Sequence, residues 1–104
     1  MATISRLNVE VGDTETEIIE STATVTSEER IFGVGNGDKE ITATAWGLND
    51  EGIWVVIESK IVTPKAYEKI ILGINHYFHV KLTGRTNVSG EISFVDGFLT
   101  YTAP

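Results

Sequence analysis

The chain has 104 residues, 41% of them apolar and 22% charged; that size and balance suit one domain over residues 1–104 with a real hydrophobic core, and no second core is expected. It contains no cysteine, which excludes disulfides, thiolate metal ligands and Cys nucleophiles. The formal net charge of −7 repels nucleic-acid backbones and anionic membrane surfaces, so neutral or basic protein partners are expected, with no nucleic acid and no membrane.

The charge is uneven along the chain. Positions 1 to 51 hold eleven acids against Arg6, Arg30 and Lys39, and positions 52 to 104 hold four acids against five bases. Such acids keep a β-domain soluble, or they form a face for a basic partner. Met1 to Arg6 shows no basic stretch followed by an apolar one, and no apolar run approaches the ~20 residues of a membrane span. A chain released to water is expected, cytoplasmic unless it is built into a particle.

Alternation with period two dominates the pattern. Leu7-Asn8-Val9-Glu10-Val11 places its apolar residues on one face, as a half-buried strand requires, and predicts a strand over 4–11. Gly12-Asp13-Thr14 breaks it, after which Ile19, Ser21, Ala23 and Val25 alternate with Glu20, Thr22, Thr24 and Thr26 in a second strand. The stretch Gly33-Val34-Gly35-Asn36-Gly37-Asp38 reads as a loop, because glycine and Asn tolerate positive φ. Ile41, Ala43 and Ala45 alternate with Thr42, Thr44 and Trp46 in a third strand, ended by Gly47 and a turn at Asn49-Asp50-Glu51-Gly52.

Ile53-Trp54-Val55-Val56-Ile57 is apolar on both faces, the pattern of a central strand covered from each side. Thr63-Pro64 then interrupts, and 64–69 predicts one short helical turn with Thr63 as its cap. From Ile70 the apolar set Ile70, Leu72, Ile74, Phe78, Val80 and Leu82 predicts two strands, or one bulged strand bending near Gly73. Gly84 to Gly90 reads as a polar loop. Ile92-Ser93-Phe94-Val95 and Phe98-Leu99-Thr100-Tyr101 flank Asp96-Gly97, a pair that favours a two-residue hairpin turn. About seven to nine short strands without a useful amphipathic helix indicate an all-β fold, an antiparallel β-sandwich or small barrel.

Few residues point to chemistry. His76 and His79 have a spacing that would suit a metal on a helix, but on a strand they face opposite ways. The glycine-rich stretch lacks the Gly-Lys-Ser/Thr order of a phosphate loop, and Asp38 and Glu40 flank its Lys39. Asp13, Glu15 and Glu17, or Asn49, Asp50 and Glu51, offer oxygens to Ca²⁺ without the spacing of a known loop. No serine sits in a nucleophile elbow, and Glu58 marks the emergence of its strand. No catalytic residue, cofactor or metal is therefore assigned. Trp46 and Trp54 are expected to pack in the core, with recognition as the alternative, while Tyr67, Tyr77 and Tyr101 are expected at the surface.

Met1-Ala2-Thr3-Ile4-Ser5, the Thr-alternating run Ser21 to Ser27 and the segment Phe94 to Tyr101 together resemble small β-rich bacteriophage virion proteins, in particular capsid decoration or cement proteins and short fibre modules. The resemblance touches about half the chain and carries over no functional residue. It implies a homo-oligomer, a trimer above all, clamped on a capsid or tail surface of the virion. The expected function is thus a non-enzymatic structural binding module that oligomerises through strand edges or an apolar sheet face and docks on a larger assembly. One alternative is a small acidic inhibitor, an immunity or anti-defence protein, that blocks a basic or nucleic-acid-binding surface. Another is a carbohydrate-binding β-sandwich using Trp46 or Trp54. The residues that would carry partner binding are Glu10, Asp13, Glu15, Glu17, Glu20, Trp46 and Trp54.

Overall fold

The computed structural model describes residues 2–21, 30–73, 77 and 79–101. Among the described residues there are eight strands: β1 (Ala2–Val11), β2 (Thr16–Ser21), β3 (Arg30–Gly35), β4 (Ile41–Leu48), β5 (Trp54–Val62), β6 (Tyr67–Gly73), β7 (Val80–Thr86) and β8 (Ser93–Tyr101). They form two four-stranded antiparallel sheets, sheet I in the order β1-β8-β3-β6 and sheet II in the order β2-β7-β4-β5. Neither sheet closes on itself, so the fold is a β-sandwich and not a barrel. The chain crosses between sheets at every connection except β4–β5, the one hydrogen-bonded pair that is consecutive in sequence.

The core follows the alternation. Inward residues of sheet I, among them Val9, Val11, Phe32, Ile70, Val95 and Leu99, meet Ile41, Ala43, Ala45, Val62, Val80 and Leu82 of sheet II. At the centre Ile18, wholly buried on β2, lies between two glycines, one from each sheet. A Cβ on Gly84 of β7 would approach Ile18 Cδ1 to 2.8 Å, and one on Gly97 of β8 would collide with Ile18 Cγ2. The two sheets therefore close around this side chain only because both positions lack a Cβ.

That packing explains the first correction to the sequence reading. Asp96-Gly97 is no hairpin turn, because both residues lie inside the continuous strand β8. Gly97 makes room for Ile18, and Asp96 Oδ1 accepts a 2.9 Å hydrogen bond from Asn8 N, where β1 shifts register and Asn8 takes a φ of 55°. The hairpin lies instead at the other turn, Asn49 to Gly52, where Asn49 Oδ1 accepts from Glu51 N and Ile53 N at 2.9 and 3.0 Å.

Strand β5 supplies the second correction. The doubly apolar Ile53–Ile57 run is the edge of sheet II and not its centre, with Ile53 and Val56 54% and 55% exposed. The centre belongs to β4 and β7, whose inward residues are small or aliphatic. The predicted glycine loop is also shorter, since Gly33, Val34 and Gly35 lie in β3 and Gly33 lies beneath the Tyr67 ring. No helical turn forms over 64–69: Ala66 N donates to Thr63 O in a tight turn, Lys65 has a φ of 64°, and β6 starts at Tyr67. Strand β7 runs on through Gly84 to Thr86, so the polar loop begins later than predicted. The first and third strand predictions match β1 and β4 in extent, but the register shift at Asn8 leaves Leu7 exposed instead of on the buried face with Val9 and Val11. Ile70 and Leu72 fall in β6 and Val80 and Leu82 in β7, as the reading of two strands has it, while Ile74 and Phe78, and residues 22–26 of the second strand, lie outside the described residues.

The loops at one end are organised by Asn36. Its Nδ2 donates to the carbonyls of Lys39, Val62 and Thr63 at 2.7, 2.9 and 3.2 Å, and its Oδ1 accepts from Ser93 Oγ at 2.8 Å. A carboxamide has one acceptor and two donors, and here both ends are used to tie β3, β5 and β8 together.

Candidate recognition face

The outward residues of sheet II follow from its register. Trp46 on β4 lies opposite Lys81 on β7 and Val56 on β5, Leu48 lies opposite Trp54, and Lys81 has Glu20 of β2 on its other side. Outward positions of four strands thus fall into one surface. Trp46 and Trp54 are half-buried there and take no part in the core cluster, contrary to the expectation of core packing. The inner positions of β4 already hold Ile41, Ala43 and Ala45, so Trp46, one residue out of phase, must face outward.

The side chains on this face form one connected network. Trp46 Nε1 donates to Thr83 Oγ1 at 2.8 Å, and Thr83 Oγ1 donates to Glu15 Oε2 at 2.5 Å. Glu15 also faces Arg85 Nε at 3.6 Å, and Glu17 faces Arg6 at 3.9 Å. The Lys81 ammonium stands 4.2 Å from the centroid of Trp54 and 5.8 Å from that of Trp46. The His79 ring meets Trp54 edge-on at 5.2 Å, and its Nε2 contacts Glu20 Oε1.

Two carboxylates of the network titrate apart. Glu17 is held above the ordinary carboxylate range, first by its hydrogen bond with Glu20 and then by burial and the charge of Glu20. Glu20 is held below it, first by the bond from Glu17, with His79 and Lys81 also favouring its charge. The hydrogen bond between them thus acts in opposite directions on the two carboxyls.

Of the residues singled out from sequence, Glu15, Glu17, Glu20, Trp46 and Trp54 come together here. Glu10 and Asp13 do not. Glu10 is exposed on β1 opposite Phe94 of sheet I, and Asp13 Oδ2 accepts from Gly90 N at 2.8 Å beside an open depression of about 270 Å³ lined also by Arg85, Thr86, Asn87 and Ser89. Sequence reasoning missed Lys81, Thr83 and Arg85. Their alternation on β7 was the available signal, masked because Gly84 reads as the start of a loop.

Other candidates fall elsewhere. His76 lies outside the described residues. Asn49 spends its carboxamide on its own turn, Glu58 is exposed on the β5 edge, and among the described residues no cluster of three or more His, Asp or Glu is placed to hold a metal ion. Tyr67 is 51% exposed, as expected, whereas Tyr77 and Tyr101 pack against the core. Arg30 is fully buried at the start of β3, where its Nη2 donates to Tyr77 O at 2.5 Å and burial pulls its pKa down.

Among the described residues no helix is long and apolar enough to cross a membrane. No family model and no curated protein matches the chain. Among solved structures it is similar to the crystal structure of a protein named PirA, with 16% identity and a TM-score of 0.68 over 96% of this chain and 93% of that one. At that identity the likeness is one of fold, and it extends over nearly the whole of both chains.

Proposed function

We propose that this chain is a non-enzymatic binding module that docks on a larger protein assembly through the outer face of sheet II. The observation that supports this most is convergence: Glu15, Glu17, Glu20, Trp46 and Trp54, drawn from three strands and a turn, form one bonded network on an open surface. Aromatic rings held rigidly among charges suit recognition, because they offer large contact area at low entropic cost. Sheet I supplies an apolar surface for self-association, with Phe94, Tyr67 and Ile71 56%, 51% and 61% exposed on its outer side. A trimeric decoration role on a virion is the form of this proposal that the resemblance implies.

Titration with polylysine at low ionic strength, followed by tryptophan fluorescence, tests the docking face. Saturable binding lost in the Glu15→Gln/Glu17→Gln/Glu20→Gln variant supports it, and binding that the triple variant leaves unchanged overturns it. Sedimentation velocity tests self-association, which Phe94→Glu with Ile71→Glu should remove. The clustering of three glutamates also favours the inhibitor reading, which requires that the protein displace nucleic acid from a basic protein.

A further inference from the structure

The position of Lys81 is specific. Its ammonium lies near the faces of two indoles on neighbouring strands, and its cross-strand neighbour on β2 is a carboxylate, Glu20. His79 bounds the same space, edge-on to Trp54 and against Glu20. Aromatic faces with nearby negative charge around a cation are the arrangement by which proteins recognise organic ammonium groups. The box is built rather than incidental, since the Trp46 ring is fixed through Thr83 to Glu15, which a surface ring merely covering the sheet would not need. It is also reachable from solvent, with the side chains of His79 and Glu20 28% and 33% exposed.

We propose that Trp46, Trp54 and Glu20 form a binding cage for an organic ammonium group on a partner protein, a lysine or methylated lysine side chain, and that Lys81 is its resident occupant in the free domain. Entry of the partner's cation displaces Lys81 toward Glu17, which already feels its charge, and leaves Glu20 to the incoming group. The glutamates on the face keep the emptied site attractive to a cation. The inference deepens the docking reading and rests on it.

Removing the resident cation should expose the cage. Lys81→Met titrated with tetramethylammonium chloride, against sodium chloride at equal ionic strength, should show saturable quenching of tryptophan fluorescence and shifts of the indole N–H resonances. Its affinity should be about tenfold above that of the unaltered protein, since an occupied site binds in proportion to the fraction that is open. Adding Trp54→Leu should abolish the response. A trimethyl-lysine peptide binding more tightly than its unmodified counterpart identifies the methylated side chain as the preferred form, and the reverse order identifies lysine. Lys81→Gln, checked by circular dichroism, serves should the Met variant fail to fold. No saturable response in a folded Lys81 variant, or one that Trp54→Leu leaves intact, overturns the cage. If polylysine binding still depends on the three glutamates in that case, the docking reading survives without it; if both are absent, both fall.

Discussion

The two outer faces of the sandwich are built by the same alternation and differ in emphasis: sheet I carries its aromatic and aliphatic side chains with Glu10 and Lys69 interspersed, and sheet II carries a bonded charged network with Val56 and Ile61 exposed beside it. On sheet I the outward side presents Phe94, Phe98, Tyr67, Ile31 and Ile71, with Tyr67 lying over Gly33 and 6.2 Å from Phe98. On sheet II the outward side presents indoles laced to glutamate, lysine, arginine and histidine. An apolar face gains by excluding water from whatever covers it, without direction, whereas a polar network gains only from a partner whose charges match it. The self-association and the docking proposed above would thus use different surfaces of one domain.

The largest effect should come from prying apart the layer that both faces share. Gly97→Val drives a side chain into Ile18 and should cost about 3 kcal/mol, read by chemical denaturation, with Ile18→Ala in the same chain recovering part of the loss. Asn36→Ala should cost roughly 2–3 kcal/mol, because it leaves the carbonyls of Lys39 and Val62 without their donor; a cost within error would show that water replaces it.

Smaller changes should separate the faces. Trp46→Phe keeps an aromatic side chain, smaller than the indole, and removes Nε1, so about 1 kcal/mol should be lost with the hydrogen bond, with the environment of the remaining sheet II indole altered and sedimentation unchanged. A change in self-association on that substitution would mean that the two surfaces are not independent.

The smallest effect concerns pH. The folded pKa of Glu17 stands above its unfolded value, so its contribution is present below the usual carboxylate range and is lost as pH rises through the folded value. Glu20 is depressed, so its contribution is present above that range and is lost on acidification. Glutamine at 17 can still donate to Glu20 and holds no proton to lose. Glu17→Gln should therefore gain a few tenths of a kcal/mol near neutrality, a gain that fades in acid, as thermal melts at several pH values would show. Equal melting temperatures at every pH would dissolve the coupling.

The charge asymmetry of the sequence does not survive folding. Acids of the first half meet bases of the second at Glu15–Arg85, Glu20–His79 and Asp38–Lys65, the last close enough to hold Asp38 below its ordinary value. The acidic half is therefore interleaved with the basic one, because neither sheet is built from one half of the chain.

Alternation alone determined which side chains of β4 share its inner face, Ile41, Ala43 and Ala45, since period two is a local property of an extended chain. In β1 the register shift at Asn8 breaks it and leaves Leu7 59% exposed while Val9 and Val11 are buried. Alternation also carried the all-β class and most of the core. Strand order was decided by tertiary structure, because all but one of the hydrogen-bonded pairs join strands distant in sequence and pairing leaves no local trace. The doubly apolar β5 therefore reads as a centre and is an edge, and Asp96-Gly97 reads as a turn because the need for a glycine against Ile18 looks the same in sequence as the need for a positive φ. Of the candidate face, the glutamates were legible as outward positions, whereas Trp46 and Trp54 read as core residues and are half-buried on the outer side. Its centre, Lys81, became visible only when β7 was laid between β2 and β4.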